Sequence, residues 1–210
     1  MNARNTLILP INDPKALLLS QEYVQVGKLI VFPTDTLYGL ACNPTNPAAL
    51  RDIYAAKGRS TLKALPVLIG ALEQLTQLVE NIPPQARRLM ERFWPGALTL
   101  VLPKQAHLPS ELTPYPGLAV RMPNNPFALE LLQALGPLAV TSANLSDQTN
   151  PQTAQEVYTQ LAGRVDLILD GGKLKIGQAS TIVDCTGAEP TLLRAGPIPF
   201  ETLLQAWQNE

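Results

Sequence analysis

Short apolar runs alternate with amphipathic segments along most of the 210-residue chain. The first apolar run, residues 28–32, is rich in β-branched and aromatic residues and is followed by Pro33, so it predicts a buried strand. The preceding segment carries apolar residues at helical spacing after Asp13-Pro14, a common helix start. We expect a helix there that ends at Gly27.

The same criteria predict further strands and helices in alternation. We expect strands at residues 66–69, 98–102, 118–122, 138–141, 165–169, 181–184 and 191–194. We expect helices at 47–56, 71–80, 84–93, 126–135, 153–161 and 200–208, several of them preceded by a capping side chain and proline or closed by glycine. Residues 33–43 carry many hydroxyl groups and glycine, so we predict a loop there.

The alternation of strands and helices is typical of α/β or α+β folds with a buried, parallel or mixed sheet. We predict an α/β fold, a twisted mixed β-sheet flanked by helices. No internal repeat and no low-complexity linker divides the sequence. We therefore expect a single domain that covers residues 10–200.

Composition narrows the possible functions. Charged residues make up 16% of the chain and the net charge is −1, which argues against nucleic-acid binding through bulk positive charge. Two cysteines, Cys42 and Cys185, exclude a disulfide framework and a four-cysteine zinc site, and the single histidine, His107, excludes a two-histidine metal site. The longest apolar runs are too short for a signal sequence or a membrane span, so we expect a cytoplasmic protein without membrane contact.

Polar side chains gather directly after several predicted strands, where α/β folds bind ligands. Residues 33–40 follow the first strand, Arg121 lies in the 118–122 strand, residues 141–144 follow another, and Arg194 closes the last. A basic loop at 57–63 follows a predicted helix. Each set alone has an ordinary structural interpretation as turn formers, helix caps or solvated cations.

Together, the cations and hydroxyl groups predict a cleft for an anionic ligand such as a polyphosphate or a carboxylate. The sequence has neither a P-loop nor a dinucleotide-binding glycine motif. It also offers no histidine-based nucleophile, and we interpret both cysteines as packing residues. We therefore expect catalysis by positioning and charge stabilisation, with no side-chain nucleophile or base.

Seven motifs follow one another along the chain. They are KLIVFPTDTLYGL at 28–40, AKGR at 56–59, WPGALT at 94–99, VRMP at 120–123, TSAN at 141–144, STIVD at 180–184 and LRAGP at 193–197. In sequence and in order they resemble the motifs of the YrdC/Sua5 family of L-threonylcarbamoyladenylate synthases. The resemblance implies a YrdC-like fold with a large concave cleft, and the chain resembles the short, single-domain form. It also implies the reaction of L-threonine, bicarbonate and ATP to give threonylcarbamoyl-AMP and pyrophosphate.

The resemblance further implies that the product serves the N6-threonylcarbamoyladenosine modification of tRNA next to the anticodon. Downstream threonylcarbamoyl-transfer proteins are then expected partners, with tRNA as a further candidate. Mg²⁺ is expected to accompany ATP, without a dedicated protein cage and with no tightly bound organic cofactor.

Residue roles follow from the positions of the family motifs. For threonine the resemblance implies Thr36, Arg121 against the carboxylate, Ser180, and the backbone of Val140. For ATP it implies Lys57, Arg59, Lys63, Ser142, Asn144, Asn150 and Arg194, the first three at the phosphates. Two positions depart from the family pattern, because Ser60 stands where proline is common and Leu68 where some members have a histidine that contacts threonine.

Two other function classes remain open. A module that binds double-stranded RNA or tRNA without synthase activity could use the same cations. The neutral overall charge and the lack of aromatic stacking positions among them argue against it. A carbamoyl-transfer domain, like that of hydrogenase maturation proteins, would normally accompany acylphosphatase-like and zinc-finger domains, and this sequence shows neither.

Overall fold

A mixed ten-stranded sheet forms the centre of the described molecule. The computed structural model describes residues 4–174 and 177–208. The strands are β1 Leu7–Pro10, β2 Ile30–Pro33, β3 Tyr38–Cys42, β4 Val67–Leu68, β5 Leu98–Pro103, β6 Gly117–Arg121, β7 Leu138–Ser142, β8 Leu167–Asp170, β9 Thr181–Asp184 and β10 Thr191–Arg194. Their order in the sheet is β1-β8-β2-β3-β7-β4-β6-β5-β9-β10.

The helices begin and end close to the positions that their capping residues predict. They are α1 Ala16–Gln25, α2 Pro47–Lys57, α3 Pro84–Phe93, α4 Pro126–Leu135, α5 Ala154–Leu161 and α6 Phe200–Gln208, with a 3₁₀ helix at Leu72–Gln77. The side chains of Asn46, Asn125 and Thr153 accept hydrogen bonds from backbone N–H groups in the first turns of α2, α4 and α5. These bonds satisfy donors that have no partner inside the helix.

The central strands β2 and β3 are apolar because both of their faces are buried. In β2, Ile30 and Phe32 pack with α1 and α4, whereas Val31 between them packs into the larger core on the other face. That larger core takes its helical residues from α2, α3, α5 and α6. Successive side chains of a strand point to opposite faces, so an uninterrupted apolar run fits a two-sided layer.

The face that carries α1 and α4 opens toward β6, β5 and β9. There the side chains include Leu68, Arg121 and Thr99 instead of a helix-covered apolar layer. The adjacent hairpin turn between β2 and β3 and the ends of β7 and β9 complete a concave cleft. The predicted architecture, a twisted mixed sheet flanked by helices with a cleft on one face, is confirmed.

The prediction of a loop throughout residues 33–43 is wrong. Tyr38–Cys42 forms the central strand β3, which pairs antiparallel with both β2 and β7. Only residues 34–37 form a turn, in which the Thr34 hydroxyl donates to the Leu37 carbonyl at 2.7 Å. The glycine in β3 allows a close approach of the adjacent strand β7, since a Cβ at Gly39 would lie 2.6 Å from Val140 Cγ1.

Three smaller differences concern element ends and short elements. The strand β1 was not predicted; it pairs in parallel with β8, which is distant in sequence. The predicted helix at 71–80 is a 3₁₀ helix limited to Leu72–Gln77. Helix α1 starts at Ala16, because Asp13 accepts a hydrogen bond from the Lys15 amide in a turn that precedes the helix.

Among the described helices, none combines the length and the hydropathy that crossing a lipid bilayer requires.

Replacing Gly39 with alanine should destabilise the protein, because the new methyl group would collide with Val140 inside the sheet. We expect a loss of about 1–3 kcal/mol in the free energy of unfolding, measured by urea denaturation. Gly187→Ala is the control, since its Cβ would meet no atom closer than Glu189 O at 3.7 Å. A double-mutant cycle with Val140→Ala should relieve most of the cost, and purely additive effects would contradict the steric explanation.

Candidate functional site

The cleft brings together side chains from distant parts of the chain. Its walls come from the β2–β3 turn, the loop after α2, and the ends of β4, β6, β7, β9 and β10. The polar residues that line it are Thr34, Thr36, Arg59, Thr99, Arg121, Thr141, Ser142, Asn150, Ser180 and Arg194.

Arg121, the last residue of β6, lies at the floor of the cleft and is only 5% exposed. Its Nε donates to the Gly96 carbonyl at 2.8 Å, Nη1 to the Thr36 hydroxyl at 2.6 Å, and Nη2 to Asp35 Oδ1 at 2.5 Å. A guanidinium has five N–H groups, so these three bonds leave two for a ligand. Burial lowers the pKa of Arg121, and the charge of Asp35 opposes that effect.

The β2–β3 turn holds Asp35 and Thr36 against this arginine. The Thr34 hydroxyl accepts hydrogen bonds from the backbone N–H groups of Thr36 and Leu37, each at 3.1 Å. The hydroxyl groups of Thr34 and Thr36 also lie 3.1 Å apart. Because the turn is tied to itself in this way, both groups that meet Arg121 are fixed before any ligand binds.

A second cluster lies across the floor, at the start of β9. The Ser180 and Thr99 hydroxyl groups are hydrogen-bonded at 2.7 Å, and Arg194 donates to the Ser180 carbonyl at 3.0 and 2.9 Å and to its hydroxyl at 3.1 Å. Burial lowers the pKa of Arg194, and repulsion from Arg121 and Arg59 adds to this effect. Three arginines around one cleft create a strong local preference for anions.

Arg59 reaches the cleft from the loop after α2. Its Nη1 donates to the Thr141 hydroxyl at 2.7 Å, and its Nη2 donates to the carbonyls of Lys63 and Ala64 at 3.3 and 3.0 Å. The buried Nε has no protein partner among the described residues. The side chain of Lys63, in the same loop, is exposed and does not line the cleft. Of these two cations, the loop thus supplies Arg59 to the cleft.

Lys57 lies behind the cleft. It ends helix α2, and its Nζ donates to the carbonyls of Ser142 and Asn144 at 2.5 and 2.6 Å and to Asn144 Oδ1 at 3.2 Å. Asn144 Oδ1 also accepts from the Ser142 hydroxyl at 2.6 Å, and its Nδ2 donates to the Leu145 and Gln148 carbonyls. The donors of Lys57 and of Asn144 are thus occupied within the protein.

Burial lowers the pKa of Lys57 to about 7, and the nearby charges of Arg59 and Lys63 add to this effect. The three oxygen acceptors around Nζ favour the ammonium form, so they oppose this lowering of the pKa. The same hydrogen bonds connect the end of α2 to the segment that follows β7.

The structure places the predicted site residues in three positions. Those that line the cleft are Thr36, Arg59, Arg121, Val140, Ser142, Asn150, Ser180 and Arg194. Lys57 and Asn144 are buried behind it, and Lys63 is exposed in the loop after α2 without lining the cleft. Of the two departures from the family pattern, Leu68 is buried in the floor and Ser60 is exposed in the loop after α2.

Sequence reasoning missed four polar residues in or beside the cleft, namely Thr34, Asp35, Thr99 and Thr141. Asp35 has an ordinary interpretation as a turn former, yet its carboxylate is the partner of Arg121. Thr99 and Thr141 stand within quoted motifs, and each makes a hydrogen bond to a predicted site residue. The motifs pointed to these segments, but only the strand register shows which of their side chains face the cleft.

The remaining chemically reactive groups lie away from the cleft. His107 is exposed in a loop, and Cys42 and Cys185 are buried, unpaired thiols. Burial raises the pKa of both thiols, that of Cys185 to about 12, which keeps them protonated and unreactive at neutral pH. Within residues 4–174 and 177–208, no three His, Cys, Asp or Glu side chains converge as a metal site.

Replacing Lys57 with methionine should cost more stability than replacing Lys63. Lys57→Met leaves buried oxygens of Ser142 and Asn144 without their donor, so we expect a loss of about 1–3 kcal/mol in the free energy of unfolding. Lys63→Met, on the exposed loop, should change stability by about 0.5 kcal/mol or less. Urea denaturation of both variants measures the difference, and equal effects would contradict a structural connection at Lys57.

Comparison with known proteins places this cleft in a family. Residues 22–196 match the Sua5/YciO/YrdC family, which carries the description "telomere recombination". A threonylcarbamoyl-AMP synthase from Pyrococcus abyssi is 42% identical over 183 residues, which cover 86% of this chain and 54% of that protein. A threonylcarbamoyl-AMP synthase from Bacillus subtilis is 41% identical over 201 residues, covering 93% of this chain and 57% of that protein. The chain thus spans a little over half the length of these relatives.

Solved structures agree with the sequence comparison. Sua5 from P. abyssi in complex with L-threonine matches with a TM-score of 0.89 and 37% identity, covering 96% of this chain and 60% of that one. YciO from E. coli matches with a TM-score of 0.83 and 27% identity, covering 97% of this chain and all of that one. The ordered motifs, the fold and these matches agree: the chain belongs to the Sua5/YciO/YrdC family.

Proposed function

We propose that this protein is a threonylcarbamoyl-AMP synthase, which converts L-threonine, bicarbonate and ATP to threonylcarbamoyl-AMP and pyrophosphate. The observation that carries the proposal is a buried arginine with two uncommitted N–H groups, beside two further arginines in one cleft. Such a site suits two anions held side by side. The names of the relatives and the threonine complex of P. abyssi Sua5 support the choice of substrates.

The threonine subsite is proposed at Arg121. The threonine carboxylate matches the planar guanidinium, whose remaining N–H groups can bind its two oxygens. Thr36 and Ser180 offer hydroxyl groups on either side of this arginine, and Val140 lines the same part of the cleft. Since the β2–β3 turn fixes the guanidinium in advance, binding threonine requires little reorganisation of the protein.

The nucleotide subsite is proposed between the loop after α2 and the ends of β7 and β10. Arg59, Arg194 and Lys63 would hold the phosphates, while Ser142 and Asn150 line the space for the rest of ATP. Lys57 and Asn144 contribute indirectly, because they hold the segment that carries Ser142. Mg²⁺ is proposed to enter with ATP and to be held by phosphate oxygens, since no cluster of protein ligands forms a cage in the described part of the chain.

The chemistry needs positioning more than reactive side chains. The neutral amine of threonine combines with carbon dioxide derived from bicarbonate, so that a carbamate forms and one water molecule is released overall. The carbamate is itself the nucleophile. A carbamate oxygen then forms a bond to the α-phosphorus as the bond to the bridging oxygen breaks, and pyrophosphate leaves with that electron pair. Arg59 and Arg194 would neutralise the charge of the phosphates, and Arg121 would orient the carbamate through the carboxylate of threonine.

We further propose that the product serves the N6-threonylcarbamoyladenosine modification of tRNA through downstream transfer proteins. Direct binding of duplex RNA by the same arginines is less favoured. Arg121 is 5% exposed and lies at the floor of a concave site, where a ligand must enter the cleft to reach it. A small anion can enter a concave site of this kind.

The direct test of the proposed function is pyrophosphate release by the purified chain. We expect release from ATP only when both threonine and bicarbonate are present, and threonylcarbamoyl-AMP should be detected by mass spectrometry. His107→Ala and Cys42→Ser are controls outside the cleft and should retain activity. Equal ATP turnover without the two co-substrates would refute the proposal, and tight duplex binding without synthesis would favour the RNA-binding alternative.

The two subsites should separate by mutation. Arg121→Ala removes a paired, desolvated charge, so it should weaken threonine binding by roughly 2–4 kcal/mol and leave ATP affinity, measured without threonine, nearly unchanged. Lys63→Ala, in the exposed loop after α2, should weaken ATP by a smaller and more salt-dependent amount while sparing threonine. Kinetics with each substrate varied in turn measure both effects. Loss of ATP binding in Arg121→Ala would mean that the subsites are reversed.

A further inference from the structure

A five-residue loop, residues 145–149, lies between two residues of the cleft. Ser142 at the end of β7 and Asn150 both line the cleft, and both belong to the proposed nucleotide subsite. None of the five loop residues lines the cleft itself. The conformation of the loop therefore sets the position of Asn150 relative to Ser142.

Gln160 of α5 holds both ends of this loop. Its Oε1 accepts a hydrogen bond from the Leu145 amide at 2.9 Å, and its Nε2 donates to the Thr149 carbonyl at 3.1 Å. One side-chain amide thus joins the first loop residue to the last. Gln160 is half-buried, whereas Val157 and Leu161 of the same helix are fully buried, and α5 packs against β8. The loop is therefore attached to a helix that is anchored in the core.

The other hydrogen bonds of the loop lie at its beginning and middle. The Asn144 side chain donates to the carbonyls of Leu145 and Gln148 at 2.9 and 2.8 Å. The Ser146 amide donates to the Lys57 carbonyl at 3.0 Å. These bonds fold the loop and attach it to the end of α2, while the α5 side chain joins its two ends.

The loop also contains a residue in an unfavourable backbone conformation. Asp147 has a φ of +64°, in the left-handed region that residues other than glycine adopt only at a cost in free energy. Contacts with the rest of the protein must offset that cost. A loop released at its ends would therefore leave this conformation and shift Asn150.

We propose that Gln160 is a positioning residue for the nucleotide subsite, because it fixes residues 145–149 and through them Asn150. This inference rests on the proposed function. Gln160 does not line the cleft, so it acts on ATP only through the loop. A loop that is ordered in advance loses less conformational entropy when the nucleotide binds. The hydrogen bonds that hold Arg121 do not involve this loop, so the threonine subsite is independent of it.

Gln160→Met removes both hydrogen bonds and keeps the length of the side chain. The dissociation constant of ATP, measured by calorimetric titration without threonine, should rise about three- to tenfold. The KM for ATP should rise by a similar factor, whereas kcat at saturating ATP should stay near the wild-type value because bound nucleotide orders the loop. The dissociation constant of threonine should not change.

Gln160→Glu tests which hydrogen bond matters more. It keeps an acceptor for the Leu145 amide and loses the donor to the Thr149 carbonyl. The Leu145 bond is partly buried and the Thr149 bond is exposed, so water replaces the second more easily than the first. Gln160→Glu should therefore retain most of the ATP affinity that Gln160→Met loses, and an equal loss in both variants would contradict the role of the Leu145 bond.

Gln155, exposed on the same helix, provides the matched controls. Gln155→Met and Gln155→Glu introduce the same side chains and the same charge, and both should bind ATP like the wild type. Amide hydrogen exchange of residues 145–149 measures the loop directly and should become faster in Gln160→Met alone. Faster exchange with unchanged ATP affinity would overturn the inference, and so would an equal weakening of ATP and threonine, which indicates general destabilisation.

The same measurements separate the inference from the proposed function. A wild-type protein that binds ATP but releases no pyrophosphate would refute the synthase activity, and weaker ATP binding in Gln160→Met would still support the role of Gln160. A wild-type protein that binds no ATP would overturn the inference itself.

Discussion

A buried guanidinium is the constraint on which the cleft depends. Arg121 can lie at the end of an apolar strand only because the Gly96 carbonyl, the Thr36 hydroxyl and the Asp35 carboxylate accept three of its N–H groups. Leaving such a charge without partners in the interior would cost several kcal/mol. The hairpin turn between β2 and β3 thus has two roles, since it compensates the arginine charge and holds the guanidinium in one orientation.

The other cationic side chains of this region differ in which protein atoms they are hydrogen-bonded to. The three hydrogen bonds of Lys57 join α2 to the segment after β7, so this lysine belongs to the scaffold. Arg59 and Arg194 are bonded mainly to neutral oxygens, and their charges are not matched by carboxylates at the cleft. A phosphate could therefore replace or join those contacts with a gain in Coulomb energy. Under the proposed function, the arrangement would combine a fixed site for a carboxylate with adjustable contacts to phosphate.

The net charge of −1 gives no indication of this positively charged cleft. Asp35 is paired with Arg121, and no acidic residue of the described part of the chain lines the cleft. Other carboxylates are paired elsewhere, such as Asp52 and Asp166 with Arg4. The composition argues against a protein that binds nucleic acid through positive charge spread over its whole surface. It could not show that three arginines from different segments converge, because that depends on how the strands are ordered in the sheet.

The sequence alone determined the alternation of strands and helices, most helix boundaries, and the segments that form the cleft. Asn46-Pro47 and Asn125-Pro126 predict the starts of α2 and α4 because capping and proline geometry are local properties. The ordered motifs predicted the family, which the comparisons confirm. The residue roles within the two subsites stay predictions until the mutants are measured.

Only the tertiary structure decided which side chains face the cleft and which lie behind it. Lys57 and Arg59 are two residues apart in one basic loop, yet one is buried in the scaffold and the other enters the cleft, because the helix ends between them at Gly58. Tyr38–Cys42 became a strand because β2 and β7 pair with it on both sides. The placement of Leu68 and Thr99 beside Arg121 likewise depends on strand register. Register arises from contacts between segments far apart in the chain, which no local pattern encodes.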